Sequence, residues 1–166
     1  MICRKVWKAI IRKQPLSLVK NKDELNRRLV ESADATEKYN LNKKIIAFAP
    51  AGLTEYIIPN GVVEIGEYAF EGCSLTTIDI PISVTKIGKY AFSDCFNLRS
   101  IDIPNGVTEI EDFAFNGCFN LTSVNIPNSV IKIGEYAFSG CQNLISVSIP
   151  NSVTKIERCA FSDCSS

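Results

Sequence analysis

From about residue 45 onward, apolar and polar positions follow one scheme again and again. In Leu98-Arg99-Ser100-Ile101-Asp102-Ile103-Pro104, Ile101 and Ile103 alternate with polar residues. That is the period of a strand with one buried face. Pro104 closes the strand and Asn105-Gly106 follows. Proline presets φ for a turn and Asn-Gly tolerates positive φ, so the chain reverses here. A second apolar stretch, Val107-Thr108-Glu109-Ile110 and then Glu111-Asp112-Phe113-Ala114-Phe115, predicts a short extended piece followed by a tight helical turn. Gly72, Gly117 and Gly140, with Asp94 and Asp163, stand before a cysteine in each copy. Gly and Asp are among the residues that reach left-handed backbone most easily, so this column is expected to turn the chain back to the next strand.

The scheme is a repeat. Ala-Phe recurs at 69–70, 91–92, 114–115, 137–138 and 160–161, and Cys73, Cys95, Cys118, Cys141 and Cys164 follow three residues after each Phe. The first interval is 22 residues, short by one between Cys73 and Leu75, and the others are 23. Several residue types recurring five times in one order mark stacked coils. A lone coil cannot bury both its faces, so neighbours must supply the missing contacts and backbone hydrogen bonds. The division expected is a lead-in segment 45–59, coils 60–81, 82–104, 105–127 and 128–150, and a partial coil 151–166. The fold class is a β-rich solenoid with a short helical N-terminal region.

Residues 1–44 read as a basic helical cap or arm. Asn21 with Glu24 has the spacing of a capping box, and Leu25, Leu29 and Ala33 fall on one face of a helix expected over about 22–36. Ile2, Val6 and Ile10, beside Trp7 and Ile11, make the stripe of a second, basic helix ending before Pro15. Covering the open first coil is one role for these helices; docking to a membrane surface or a partner is the other.

Composition sharpens this picture in two ways. The formal net charge is zero, but residues 1–44 hold twelve Lys/Arg against five Asp/Glu, and residues 45–166 hold six against thirteen. The two parts therefore carry about +7 and −7, either a basic cap on an acidic body or a basic arm for an acidic partner or membrane. Within the body, most neighbours in two charge columns are of opposite sign: Glu64, Lys86, Glu109, Lys132, Lys155, and Glu67, Lys89, Asp112, Glu135, Arg158. Opposite charges one period apart lie side by side and favour register. No run of 18 apolar residues occurs, so no transmembrane segment is expected. The basic start is interrupted by Arg4, Lys5 and Lys8, so it is no secretion signal. On that reading the chain as written is cytoplasmic or has lost an upstream leader.

The run from Asn128 to Leu144, with Ser129-Val130-Ile131-Lys132-Ile133-Gly134-Glu135-Tyr136-Ala137-Phe138-Ser139-Gly140-Cys141 inside it, resembles the BspA-like leucine-rich repeats. The resemblance is strong over residues 60–166. It implies a right-handed leucine-rich-repeat coil with one parallel strand per repeat on the concave face. It also implies surface or secreted microbial proteins that adhere to host or neighbouring-cell proteins.

The chemistry points away from catalysis. The chain has no histidine, the commonest general base and metal ligand. It has no phosphate loop, nucleophile elbow or CxxC pair. The cysteines lie one strand spacing apart in a row, which cannot converge on a metal, so buried free thiols are expected. Asp79 and Asp102 share a strand column with Asn125 and Ser148. Acid–base chemistry, a weak cation site, a contact for a basic partner and plain solvated surface are the readings for them. Asn120-Leu121-Thr122 matches a glycosylation sequon, but Asn97 and Asn143 show that this Asn belongs to the repeat, which suits a stacked-amide role.

The exposed strand positions make the candidate binding surface: Thr76, Asp79, Arg99, Asp102, Thr122, Asn125, Ile145 and Ser148. The face is polar and flat apart from Ile145, which suits a protein or glycan better than a buried small molecule. The expected function is a non-enzymatic protein-interaction and adhesion scaffold, with no cofactor, metal or nucleic acid. The alternative is a structural protein that self-associates through an uncapped C-terminal coil.

Overall fold

The computed structural model describes residues 39–40, 45–46 and 53–165. The described chain winds as a β-solenoid in which every coil contributes two short strands. The helices expected over 2–11 and about 22–36 lie outside the described residues, and no helix forms among the described ones.

The elements are β1 (Tyr39–Asn40), β2 (Ile45–Ile46), β3 (Glu55–Ile57), β4 (Glu64–Ile65), β5 (Thr77–Asp79), β6 (Lys86–Ile87), β7 (Ser100–Asp102), β8 (Glu109–Ile110), β9 (Ser123–Asn125), β10 (Lys132–Ile133), β11 (Ser146–Val147) and β12 (Lys155–Ile156). One sheet runs β1-β2-β4-β6-β8-β10-β12. All its pairings are parallel except that of β1, which lies antiparallel to β2 with Tyr39 opposite Ile46. The other strands form a three-stranded sheet, β11-β9-β7, and a two-stranded sheet, β3-β5.

One strand per coil is thus corrected to two. The Val-x-x-Ile piece is more than a lead into a turn. Its isoleucines pair in register as Ile65, Ile87, Ile110, Ile133 and Ile156, and form a parallel ladder of their own. The second strand is the predicted one. Ile78, Ile101 and Val124 point inward, and the residues on either side of each are exposed. The break between β5 and β7 falls at the 22-residue coil. There the amide of Arg99 still donates to the Thr76 carbonyl at 3.3 Å, but the strands proper do not pair.

The expected helical turn is also corrected. Residues 66–73 form successive turns whose amides reach the next coil: Tyr68 to Lys89, Phe70 to Ala91 and Gly72 to Ser93, at 3.0, 2.7 and 2.9 Å. Two left-handed residues per coil bend the chain. The predicted column is one of them: Gly72, Asp94, Gly117, Gly140 and Asp163 have φ between 57° and 74°. The other was not expected, because it holds bulky side chains: Tyr68, Tyr90, Phe113, Tyr136 and Cys159, with φ between 52° and 58°. Left-handed backbone costs such residues about 1–2 kcal/mol each. Ring stacking offsets part of it, since Tyr68, Tyr90, Phe113 and Tyr136 stack at centroid spacings of 4.7, 4.7 and 4.9 Å.

The core lies between the two strand rows and the turn row. Phe70, Phe92, Phe115 and Phe138 are fully buried and stack at 5.0, 5.3 and 5.2 Å. Beside them Cys73, Cys95, Cys118 and Cys141 are buried free thiols and Cys164 is a half-buried one. Cys95, Cys118, Cys141 and Cys164 donate to the carbonyls of Phe70, Phe92, Phe115 and Phe138 at 3.0–3.3 Å.

Candidate functional site

The strand alternation that buries Ile78, Ile101 and Val124 projects their neighbours outward in rows that run along the stack. A row just before these strands holds Thr54, Thr76, Arg99, Thr122 and Ile145, each of whose amides after the first donates to the carbonyl of the previous member. A second row holds Ile57 paired with Asp79 and, beyond the break between β5 and β7, Asp102 paired with Asn125, with Ser148 next along. A shallow groove of about 650 Å³ follows the first row and is lined by Thr76, Asn97, Arg99, Asn120, Thr122, Asn143 and Ile145.

The structure therefore divides the eight predicted residues. Thr76, Arg99, Thr122 and Ile145 line the groove. Asp79, Asp102, Asn125 and Ser148 are exposed but belong to the neighbouring row. Thr76 is half-buried, and its hydroxyl donates to the Thr54 carbonyl at 2.9 Å. Thr122 likewise donates to the Arg99 carbonyl at 3.0 Å. Those two hydroxyl protons are engaged in the stack, whereas Ile145 stands 73% exposed.

Sequence reasoning left Asn97, Asn120 and Asn143 out of the site. They form the groove wall. The stacked-amide reading holds for Asn120 and Asn143: their amides donate to the Phe96 and Phe119 carbonyls at 2.8 Å, and Asn143 also donates to the Asn120 side-chain oxygen at 3.4 Å. The period-spaced Asn that identified the ladder is the same signal that would have placed it on the site. Beside it Phe96 and Phe119 stack at 5.2 Å and remain 46% and 40% exposed.

Electrostatics separate this face from the other sheet. There Lys86 pairs with Glu64 at 3.0 Å, Lys89 with Asp112 at 2.7 Å and Lys132 with Glu109 at 3.6 Å, each across one coil. Lys155, which follows Lys132 in its column, pairs instead with Glu157 of its own coil at 2.6 Å. Asp112 also accepts from the Glu135 amide at 3.0 Å. The hydrogen bond from Lys89 holds the Asp112 carboxyl below the ordinary carboxylate range, against the opposing pull of desolvation. The cysteine column is chemically quiet: burial pushes the Cys141 thiol up to about 12 and the Cys95 and Cys118 thiols well above their ordinary value. Thiols so shifted hold their protons and are poor nucleophiles. Among the described residues no group of three or more Cys, Asp or Glu comes together as a metal site.

Residues 44–166 match the model of the BspA type leucine rich repeat region, in six copies. The chain belongs to this family. Solved structures agree with it. The leucine-rich repeat protein TpLRR of T. pallidum is 38% identical over 72% of this chain and 59% of that one, with a TM-score of 0.69. A leucine-rich cell surface protein of Faecalibacterium prausnitzii A2-165 is 38% identical over 73% and 33%, with a TM-score of 0.71. The pneumococcal vaccine antigen PcpA is 25% identical over 73% and 32%, with a TM-score of 0.65. The chain thus spans 59% of the first of these proteins and about a third of the other two. No curated protein matches the sequence. No helix among the described residues is long and apolar enough to cross a membrane.

Proposed function

We propose that this chain is a non-enzymatic adhesion scaffold that holds a protein or glycan partner on its exposed strand face. The observation that carries the reading is the groove along Thr76, Arg99, Thr122 and Ile145, the repeat position that stands just before each strand. Its lining is polar and open, with one strongly exposed apolar side chain, a composition suited to contact over a surface and not to enclosing a small substrate. A cell-surface setting is supported by one relative being described as a cell surface protein and another as a vaccine antigen.

The test is retention of the labelled full chain on immobilised cell-surface proteins and immobilised glycans. Replacing Asp79→Asn, Asp102→Asn and Ile145→Ser together is expected to lower retention at least tenfold, about 1.4 kcal/mol. Circular dichroism and the melting midpoint should stay in place. Retention equal to that of the unaltered chain rejects this face.

A second reading is self-association through the last coil. Ile156 is 49% exposed, whereas Ile65, Ile87, Ile110 and Ile133 in the same column are fully buried. An apolar strand edge of this kind pairs readily with another. Sedimentation is expected to show a concentration-dependent dimer that Ile156→Asp disperses; a monomer throughout dismisses the reading.

A further inference from the structure

Six cations lie among residues 53–165: Lys86, Lys89, Arg99, Lys132, Lys155 and Arg158. The four lysines are ion-paired. Arg158 sits on the turn row beside Tyr136. Arg99 stands in the groove, and its guanidinium has no ion pair or side-chain hydrogen bond among the described residues. The carboxylates of Asp79 and Asp102 are also unpaired among the described residues. Asp102 ends the strand that Arg99 immediately precedes, three residues away, yet the two form no ion pair. The protein pairs its lysines on one sheet and leaves both signs of charge open on the other.

We infer that the strand face takes an extended peptide segment bearing both an acidic and a basic side chain, in preference to a glycan. The inference rests on the proposed reading of this face as the binding surface, and it names the class of occupant. Neighbouring coils are about 4.8 Å apart and strand residues about 3.3 Å apart. Arg99 therefore lies about 10 Å from Asp102 along the strand and about 10 Å from Ile145 along the stack. An occupant of the whole patch, which runs about 14 Å along the stack from Asp79 to Ile145, meets a guanidinium, two carboxylates and an apolar side chain. A peptide supplies an acid for Arg99, a Lys or Arg for the aspartates and an apolar residue for Ile145. An acidic glycan answers Arg99 and is repelled by Asp79 and Asp102. A neutral glycan covers all three charges with no counter-charge, which costs free energy. The exposed rings do not favour a sugar either, because Phe96 and Phe119 stack face to face with planes 11° apart, and each covers a face of the other.

Two arrays test this with the full chain. One carries dodecapeptides with one Asp or Glu, two Lys or Arg and one Leu or Phe in varied order; the other carries neutral, sulfated and sialylated glycans. Peptides with both signs are expected to be retained and to weaken as salt is raised. Arg99→Glu should lower their binding about tenfold and raise that of peptides with Lys in place of the acid, with an unchanged melting midpoint. Peptide binding indifferent to Arg99→Glu overturns the inference. Glycan retention that Arg99→Glu abolishes also overturns it, while the strand face survives as the binding surface. Retention on neither array removes both.

Discussion

The two rows of strands in the solenoid are built from the same coils, yet they treat charge in opposite ways. On the seven-stranded sheet and the turn beside it, Glu64 faces Lys86, Lys89 faces Asp112 and Glu109 faces Lys132, each pair one coil apart. On the other row of strands Asp79 and Asp102 put carboxylates at equivalent positions of adjacent coils, Asn125 and Ser148 carry no charge, and Arg99 stands apart from both. Repetition alone cannot produce this difference, since every coil has both positions. Alternating signs fix which coil lies beside which. Repeated or unmatched signs do nothing for the stack and remain available to a partner.

The substitution expected to act most strongly removes the comparison altogether, because both faces rest on one core. Phe115 is fully buried between Phe92 and Phe138, at 5.3 and 5.2 Å from their ring centres. Phe115→Ala opens a cavity in the middle of the stack and is expected to cost about 3–5 kcal/mol. The loss is measured by thermal or urea unfolding. A loss below about 1 kcal/mol would mean that the coils close over the gap and that the aromatic column is not the spine of the fold.

Much of this architecture could be read from residue spacing, for a physical reason. In a stack, residues one period apart are neighbours, so a column in the sequence is a row in space. Hence the phenylalanine row, the buried thiols, the Asn120–Asn143 ladder, the left-handed Gly72/Asp94 column and the cross-coil ion pairs all followed from periodicity. Three features did not. The second strand row is only two residues long per coil, too short for alternation to register, and its pairing partners lie in other coils. The left-handed Tyr68, Tyr90, Phe113 and Tyr136 contradict local preference and are sustained by stacking, which one coil viewed alone does not reveal. The candidate site was half legible. Thr76, Arg99, Thr122 and Ile145 were found as one repeat position beside the strands, but the Asn wall comes from a bend further upstream, which the strand pattern does not reach.

A smaller effect sharpens the comparison from the charge-paired side. Lys89→Met removes the 2.7 Å contact to Asp112 and is expected to cost about 0.2–1 kcal/mol, since half of the Lys89 side chain is exposed and the pair is screened. Its pH dependence identifies the cause. The Asp112 carboxyl is held below its ordinary value, chiefly by the hydrogen bond from Lys89. A depressed carboxyl stabilises the fold above its unfolded pKa, about 3.9, and that contribution fades as pH falls through the folded value. The stability gap between the unaltered chain and Lys89→Met should therefore be constant from neutral pH to about pH 5 and close below about pH 4. A gap that persists in acid would assign the loss to the packing of the lysine stem. Partner binding should not change.

The smallest effect on stability is expected where the largest effect on binding is sought. Asp79 and Asp102 hold equivalent positions in adjacent coils, on either side of the break between β5 and β7. They repel each other with no ion pair among the described residues to relieve them. Asp79→Asn with Asp102→Asn should leave stability within about 0.5 kcal/mol, on the side of gain, and the gain should vanish in high salt. Two neutral amides in one row also resemble the Asn120–Asn143 arrangement that the stack already accommodates. A loss above about 1 kcal/mol would show that the carboxylates hold the coils together and would end the contrast between the sheets. If the contrast stands, Lys89→Met lowers stability and spares binding, while the paired aspartate change spares stability and lowers binding. A stacking contact and a partner contact then separate by experiment, although both are charged side chains on strands of the same coils.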